Sequence, residues 1–195
     1  MCIDALIARH IRDLRKARGF TLEQLAARSG VSRSMISLIE RQETSATAAV
    51  LNRLAGALGV TLAALFTDKH EPSERQPLVR HAAQPVWSDP ESGYVRRQIS
   101  PARYPSPIEL VEVIFPAGQT VIFGGIMKSA PDYHQQLWML AGEMEIALGD
   151  DSWQMLAGDC LAMTPGAPIR FSNHGLEPAR YLLALTRLPY PGGRP

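Results

Sequence analysis

Between residues 32 and 41 the chain reads Ser-Arg-Ser-Met-Ile-Ser-Leu-Ile-Glu-Arg, mixing short hydroxyls and guanidinium groups with aliphatic side chains. Val31, Ile36 and Ile39 fall at helical spacing and form one inward face. Ser32, Arg33, Ser34, Ser37 and Arg41 are then left pointing outward. A guanidinium donates two hydrogen bonds to guanine O6 and N7, which makes Arg33, near the helix start, the candidate for base readout. Ser34 and Ser37 are short enough to approach base edges or phosphate closely. Thr21, Ser32 and Arg41 suit contacts to the DNA backbone, beside helix N-termini that attract phosphate. Ser32 reads equally as a helix cap, and the two roles coexist.

Such a helix must be held proud of its domain. Up to Phe66 the apolar residues recur at helical spacing, as in Leu6, Ile7, Ile11 and Leu14, or Leu51, Leu54, Ala55 and Leu58. Five short helices are expected. Thr21 with Gln24 makes a capping box, Ser32 and Thr61 are good N-caps, and Gly19, Gly30 and Gly59 supply left-handed turns. Ala26 provides the small residue at which two steeply crossing helices approach, and Gly30 the turn between them. Arg9, Arg12, Arg15, Lys16 and Arg18 read as a solvated basic face or as part of a DNA-facing one.

The pattern Thr21-Leu-x-x-Leu-Ala-x-x-x-Gly30-Val-Ser-x-Ser-x-Ile-Ser-x-Ile-Glu-Arg41 resembles the DNA-binding domain of Xre-type and phage-repressor regulators, over residues 9 to 66. The resemblance implies a sequence-specific transcription regulator. Ala46 departs from it, standing where many relatives carry proline before the fourth helix.

Charge is divided in the same sense. The whole chain of 195 residues carries a net charge of +1. Residues 1–69 hold ten Lys/Arg against six acids, or +4, and the remainder ten against thirteen, or −3. A basic N-terminal unit suits a polyanion, whereas an acidic remainder faces away from one. With 46% hydrophobic residues and no apolar run near the roughly 20 needed to cross a bilayer, the chain reads as soluble and cytoplasmic, without membrane association. Cys2 and Cys160 share no metal or disulfide spacing, and Cys160 is expected to be buried.

The domain division places the helix-turn-helix unit at 1–67, a Pro- and charge-rich linker at 68–85, and a second domain at 86–195. That second domain is a series of short runs separated by turns such as Pro116-Ala-Gly118 and Gly149-Asp-Asp151, the mark of an all-β sandwich or barrel. Trp138-Met-Leu-Ala-Gly142-Glu-Met-Glu-Ile146 and Gly158-Asp-Cys-Leu-Ala-Met-Thr-Pro165-Gly166-Ala-Pro-Ile-Arg-Phe-Ser-Asn173 resemble a cupin (jelly-roll) barrel. Members of that family that are enzymes place two His and a Glu before the first motif and a third His in the second, holding a divalent metal. Here the Glu position falls on Gln135, the paired His positions on Lys128 and Ala130 or their neighbours Ser129 and Pro131, and the last His position on Ile169.

No metal and no other cofactor is therefore expected. What remains is a pocket for a small molecule, with Gln135 directed into the barrel, Arg170 and Lys128 able to attract an anion, and Phe123, Met139 and Phe171 lining an apolar wall. His134 is the candidate acid/base in the rival reading of a metal-independent enzyme. A further alternative gives the barrel a dimerising role only. A homodimer on a pseudo-palindromic operator in double-stranded DNA, modulated by a small molecule and without catalysis, is the favoured reading.

Overall fold

A computed structural model describes residues 3–66, 76–101, 104, 106–124, 133–164 and 166–187. Among the described residues four α-helices come first: α1 (Ile3–Ala17), α2 (Leu22–Ser29), α3 (Arg33–Glu40) and α4 (Ala48–Ala57). The Thr21 hydroxyl accepts from the Gln24 amide at 3.1 Å and the Gln24 side chain accepts from the Thr21 amide at 2.8 Å, so α2 opens on the anticipated capping box. Gly30 ends α2 in the left-handed region at φ 66°. The fifth expected helix is instead a single 3₁₀ turn, Ala63–Phe66. Its bonds run Ala64 N to Thr61 O and Leu65 N to Leu62 O, because so short a capped segment closes i to i+3 before an α-helical turn can form.

Ten strands follow among the described residues: β1 (Val86–Ser88), β2 (Val95–Gln98), β3 (Ile108–Phe115), β4 (Thr120–Phe123), β5 (Tyr133–Ala141), β6 (Glu143–Leu148), β7 (Asp151–Leu156), β8 (Cys160–Met163), β9 (Ile169–Ser172) and β10 (Ala179–Arg187). Among the described residues they form two antiparallel sheets rather than one closed barrel, in the orders β1-β2-β3-β10-β5-β8 and β4-β9-β6-β7. The chain crosses repeatedly between the sheets, so each strand offers alternate residues to the space between them. Val111, Leu137, Met139 and Tyr181 face Met144, Ile146 and Phe171 there, all buried. Cys160 is exposed, not buried. It pairs with outward Trp138 on β5, and strand alternation carries it to the same outer face.

The helical and β parts share a single apolar cluster. Phe66 meets Trp87 at 5.6 Å between ring centroids, Trp87 meets Tyr94 at 5.9 Å, and Tyr94 meets Phe115 at 6.0 Å. Asp89, buried after β1, accepts the Ala48 amide of α4 at 2.7 Å. An acid of the β part thus satisfies an orphan amide in the first turn of a helix.

Candidate functional site

The first site is the outer surface of α3. Its Ser32 cap accepts from the Met35 amide at 3.2 Å, and the Ser32 and Ser34 hydroxyls lie 3.1 Å apart. Ile36 and Ile39 are buried beneath, with Val31 just ahead of the cap. The C-terminal end of α3 is fixed by Glu40, which is 8% exposed and takes Arg15 Nε at 2.6 Å and Nη2 at 2.8 Å. Arg15 also donates to the Phe20 carbonyl at 2.9 Å. Arg15 is therefore a strut between α1 and the recognition helix, not a member of a solvated basic face.

Of the expected DNA-facing residues, Thr21, Ser32, Arg33, Ser34 and Arg41 are exposed and Ser37 is half-buried. Ser32 caps the start of α3 and Arg41 its end, with Arg33, Ser34 and Ser37 between them, while Thr21 caps the start of α2. Two acids stand among them: Glu23 pairs with Arg33, and Glu43 with Arg41 at 3.0 Å. The Glu23 carboxyl is held below the usual carboxylate range, first by its own backbone amide and further by Thr21 and Arg33. Sequence reading missed these acids as partners, although Glu23 in the first turn of α2 was a signal. It also missed Met35, 36% exposed on α3.

The second site is the space between the sheets. Gln135 and Met139 project into it from β5 and Phe171 from β9, all buried, with Phe123 half-buried beside Phe171 at 5.5 Å between ring centroids. His134 and Arg170 do not join them. Alternation turns each to the outer face of its sheet. His134 Nδ1 meets Thr164 Oγ1 at 3.1 Å, and exposed Arg170 donates to Glu145 at 2.8 Å, which lowers the Glu145 carboxyl's pKa. Lys128 lies outside the described residues.

Three interior polar residues escaped the sequence reading: Arg96 and Gln98 on β2, both buried, and half-buried Glu109 on β3. Gln98 Nε2 donates to Glu109 Oε1 at 2.8 Å. The Arg-Arg-Gln run of β2 did alternate, but nothing in it indicated which face was inward. Tyr94 and Tyr181 border the same space, and burial raises both phenols, keeping them protonated. Of the positions checked in the sequence for metal ligands, Gln135 presents an amide and Ile169 an alkyl group, while residues 128–131 lie outside the described residues. Among the described residues no group of three or more His, Cys, Asp or Glu could hold a metal ion.

A capped helix-turn-helix with an exposed Ser/Arg surface, joined through a shared core to a two-sheet β domain, defines a DNA-binding protein with an appended folded module. Residues 11–65 match the helix-turn-helix family. The transcriptional regulator SinR of Bacillus subtilis is 34% identical over 85 residues, covering 40% of this chain and 77% of SinR. The chain belongs to the helix-turn-helix transcriptional regulators. The regulator PuuR of Escherichia coli is 23% identical across both parts, over 91% of this chain and 93% of its own. A crystallised HTH_3 family regulator from Vibrio cholerae has the same overall fold, with a TM-score of 0.73 at 22% identity over 96% of this chain and 98% of that one. Among the described residues no helix is long and apolar enough to cross a membrane.

Proposed function

We propose that this regulator reads a pseudo-palindromic operator as a homodimer, through Arg33 to a base edge, Ser34 and Ser37 to base or phosphate, and Thr21, Ser32 and Arg41 to the backbone. The observation that carries this reading is the exposed, cap-fixed N-terminal half of α3, braced behind by the Arg15–Glu40 pair. One unit of this size makes few phosphate contacts, so pairing supplies the affinity. The outer face of the six-stranded sheet, which exposes Ile108, Ile114 and Trp138, supports a self-association surface.

The β part, residues 86–195 behind a linker at 68–85, serves in this reading as a cupin-type sensor that works without metal or catalysis. Its support is the interior itself, where apolar Met139 and Phe171 adjoin a few convergent polar groups. His134, facing outward and paired with Thr164, is poorly placed to act as an interior acid/base. Binding-site selection from random DNA, followed by salt titration of the best site, tests the DNA reading. Two half-sites about one helical turn apart, with affinity falling steeply as salt rises, are expected. A single unspaced site bound by a monomer overturns the dimer. For the sensor, a ligand at a hundredfold its dissociation constant adds about 2.7 kcal/mol to stability, readable as a thermal shift.

A further inference from the structure

Arg96, Gln98 and Gln135 are 5%, 4% and 7% exposed, yet among the described residues Arg96 Nε and Nη2, Gln98 Oε1 and Gln135 Nε2 have no hydrogen-bond partner, the Arg96 guanidinium otherwise acting on the Tyr94 phenol. Buried polar groups are nearly always paired, and an unpaired guanidinium edge is among the most costly to bury. These orphans are not scattered. Arg96 lies opposite Val113, which pairs with Tyr181 and through it Met139. Gln98 lies opposite Val111, one inward position along, and the next inward row runs Glu109, Leu185, Gln135. All four atoms therefore belong to side chains on the interior face of one sheet.

The identity of the free atoms selects a ligand class. Nε and Nη2 form one edge of the guanidinium plane, the edge that matches the two oxygens of a carboxylate. The same protein shows the pairing elsewhere: Arg15 holds Glu40 through these two atoms. At the other end, the Gln98 amide has its orientation set by Glu109, an acceptor, so Nε2 is engaged and Oε1 is left to accept. Arg96 and Gln98 stand about 7 Å apart along the strand. We propose that the interior of the β domain binds a small carboxylate bearing a hydroxyl or ammonium group, its carboxylate on Arg96 and its donor on Gln98, with Gln135 donating to a remaining ligand oxygen. The proposal rests on the sensor reading above and names its effector class.

Occupancy would be felt by the DNA-reading part. The Arg96 guanidinium carbon lies 5.6 Å from the centroid of the Phe66 ring, in the last turn of the helical domain. A carboxylate on Arg96 neutralises the cation that faces this ring and weakens the attraction between them. Because Leu65 beside it accepts a hydrogen bond from His10 Nδ1 of α1 at 2.9 Å, a shift of this turn is passed on to the helical core. The ligand regulates only as far as it prefers one arrangement over the other.

Thermal denaturation of the full chain with hydroxy- and amino-carboxylates of two to five carbons, each beside its neutral amide, tests the proposal. Carboxylates and not their amides are expected to raise the melting temperature, with the effect lost in Arg96→Met. In Arg96→Lys, which keeps the charge without the two-atom edge, affinity is expected to fall roughly thirtyfold or more. Gln98→Leu serves as a second variant should Arg96→Met not fold, and is expected to weaken hydroxy- and amino-carboxylates more than plain propionate. Shifts undiminished in all three variants overturn the proposal. A response to the neutral amides alone also overturns it but leaves the sensor reading standing, whereas silence from every compound removes both.

Discussion

In the free chain Arg33 lies against Glu23, so in the proposed readout a guanine would have to take the guanidinium from that carboxylate. Arg33→Ala should cost about 1 to 3 kcal/mol of specific binding and relax preference at one base pair. Equal losses on operator and random DNA would assign Arg33 to phosphate instead. Glu23 opposes binding twice, by holding Arg33 and by repelling the duplex, so Glu23→Gln should tighten DNA binding severalfold in a fluorescence anisotropy titration. The sign of its pH dependence follows from its lowered pKa. A carboxylate whose folded value is depressed contributes fully above its unfolded value and loses that contribution as pH falls through the folded one. Between about pH 6 and 8 the wild-type and Glu23→Gln affinities should keep a constant ratio. A ratio that changes across this range would show that Glu23 is not the carboxylate that competes for Arg33.

At the level of elements, two glycines with similar backbone angles separate conformation from packing. Gly30, at φ 66°, has no atom within 4 Å of where a Cβ would stand, so Gly30→Ala should cost only the left-handed penalty of about 1 kcal/mol. Gly142, at φ 75° between β5 and β6, would set a Cβ 2.8 Å from Ala179 Cα and 3.0 Å from the Pro178 carbonyl oxygen. Neither neighbour is a movable side chain, and Gly142→Ala should cost about 3 kcal/mol in urea denaturation. The brace of α3 is expected to matter as much: Glu40→Ala leaves Arg15, 13% exposed, without its carboxylate and should remove about 3 kcal/mol.

The helix-turn-helix was legible because each signal is local. Thr21 with Gln24, Gly30 and the Ile36–Ile39 spacing act within a few residues of one another, and all appear in the structure. Strand alternation is equally local: it sets Gln135, Leu137 and Met139 on one face and His134, Gln136 and Trp138 on the other, as the burial of β5 has them. Illegible were the pairings between distant residues, such as Arg15 with Glu40, Asp89 with α4, and Arg96 with Phe66. No spacing in a single chain encodes them, since each depends on where two separately formed elements meet.

On the scale of the whole molecule, the junction between the two parts is a packed core rather than a hinge. Trp87 is 2% exposed between Phe66 and Tyr94, while Asp89 divides its carboxylate between the Ala48 amide and the Ser92 amide and hydroxyl. Because the apolar cluster is continuous, heat should unfold the chain in one transition, with calorimetric and van't Hoff enthalpies equal. Asp89→Ala strands a buried amide of α4 and should cost about 2 to 3 kcal/mol. If the contact is a coupling device as well as a cap, the loss should also split the melting curve, with the helical part released first. Asp89→Asn can still accept from Ala48 and should restore most of the cooperativity. Two transitions in the wild-type chain would show that the parts are only tethered, and an effector seated on Arg96 would then have no rigid path to the recognition helix.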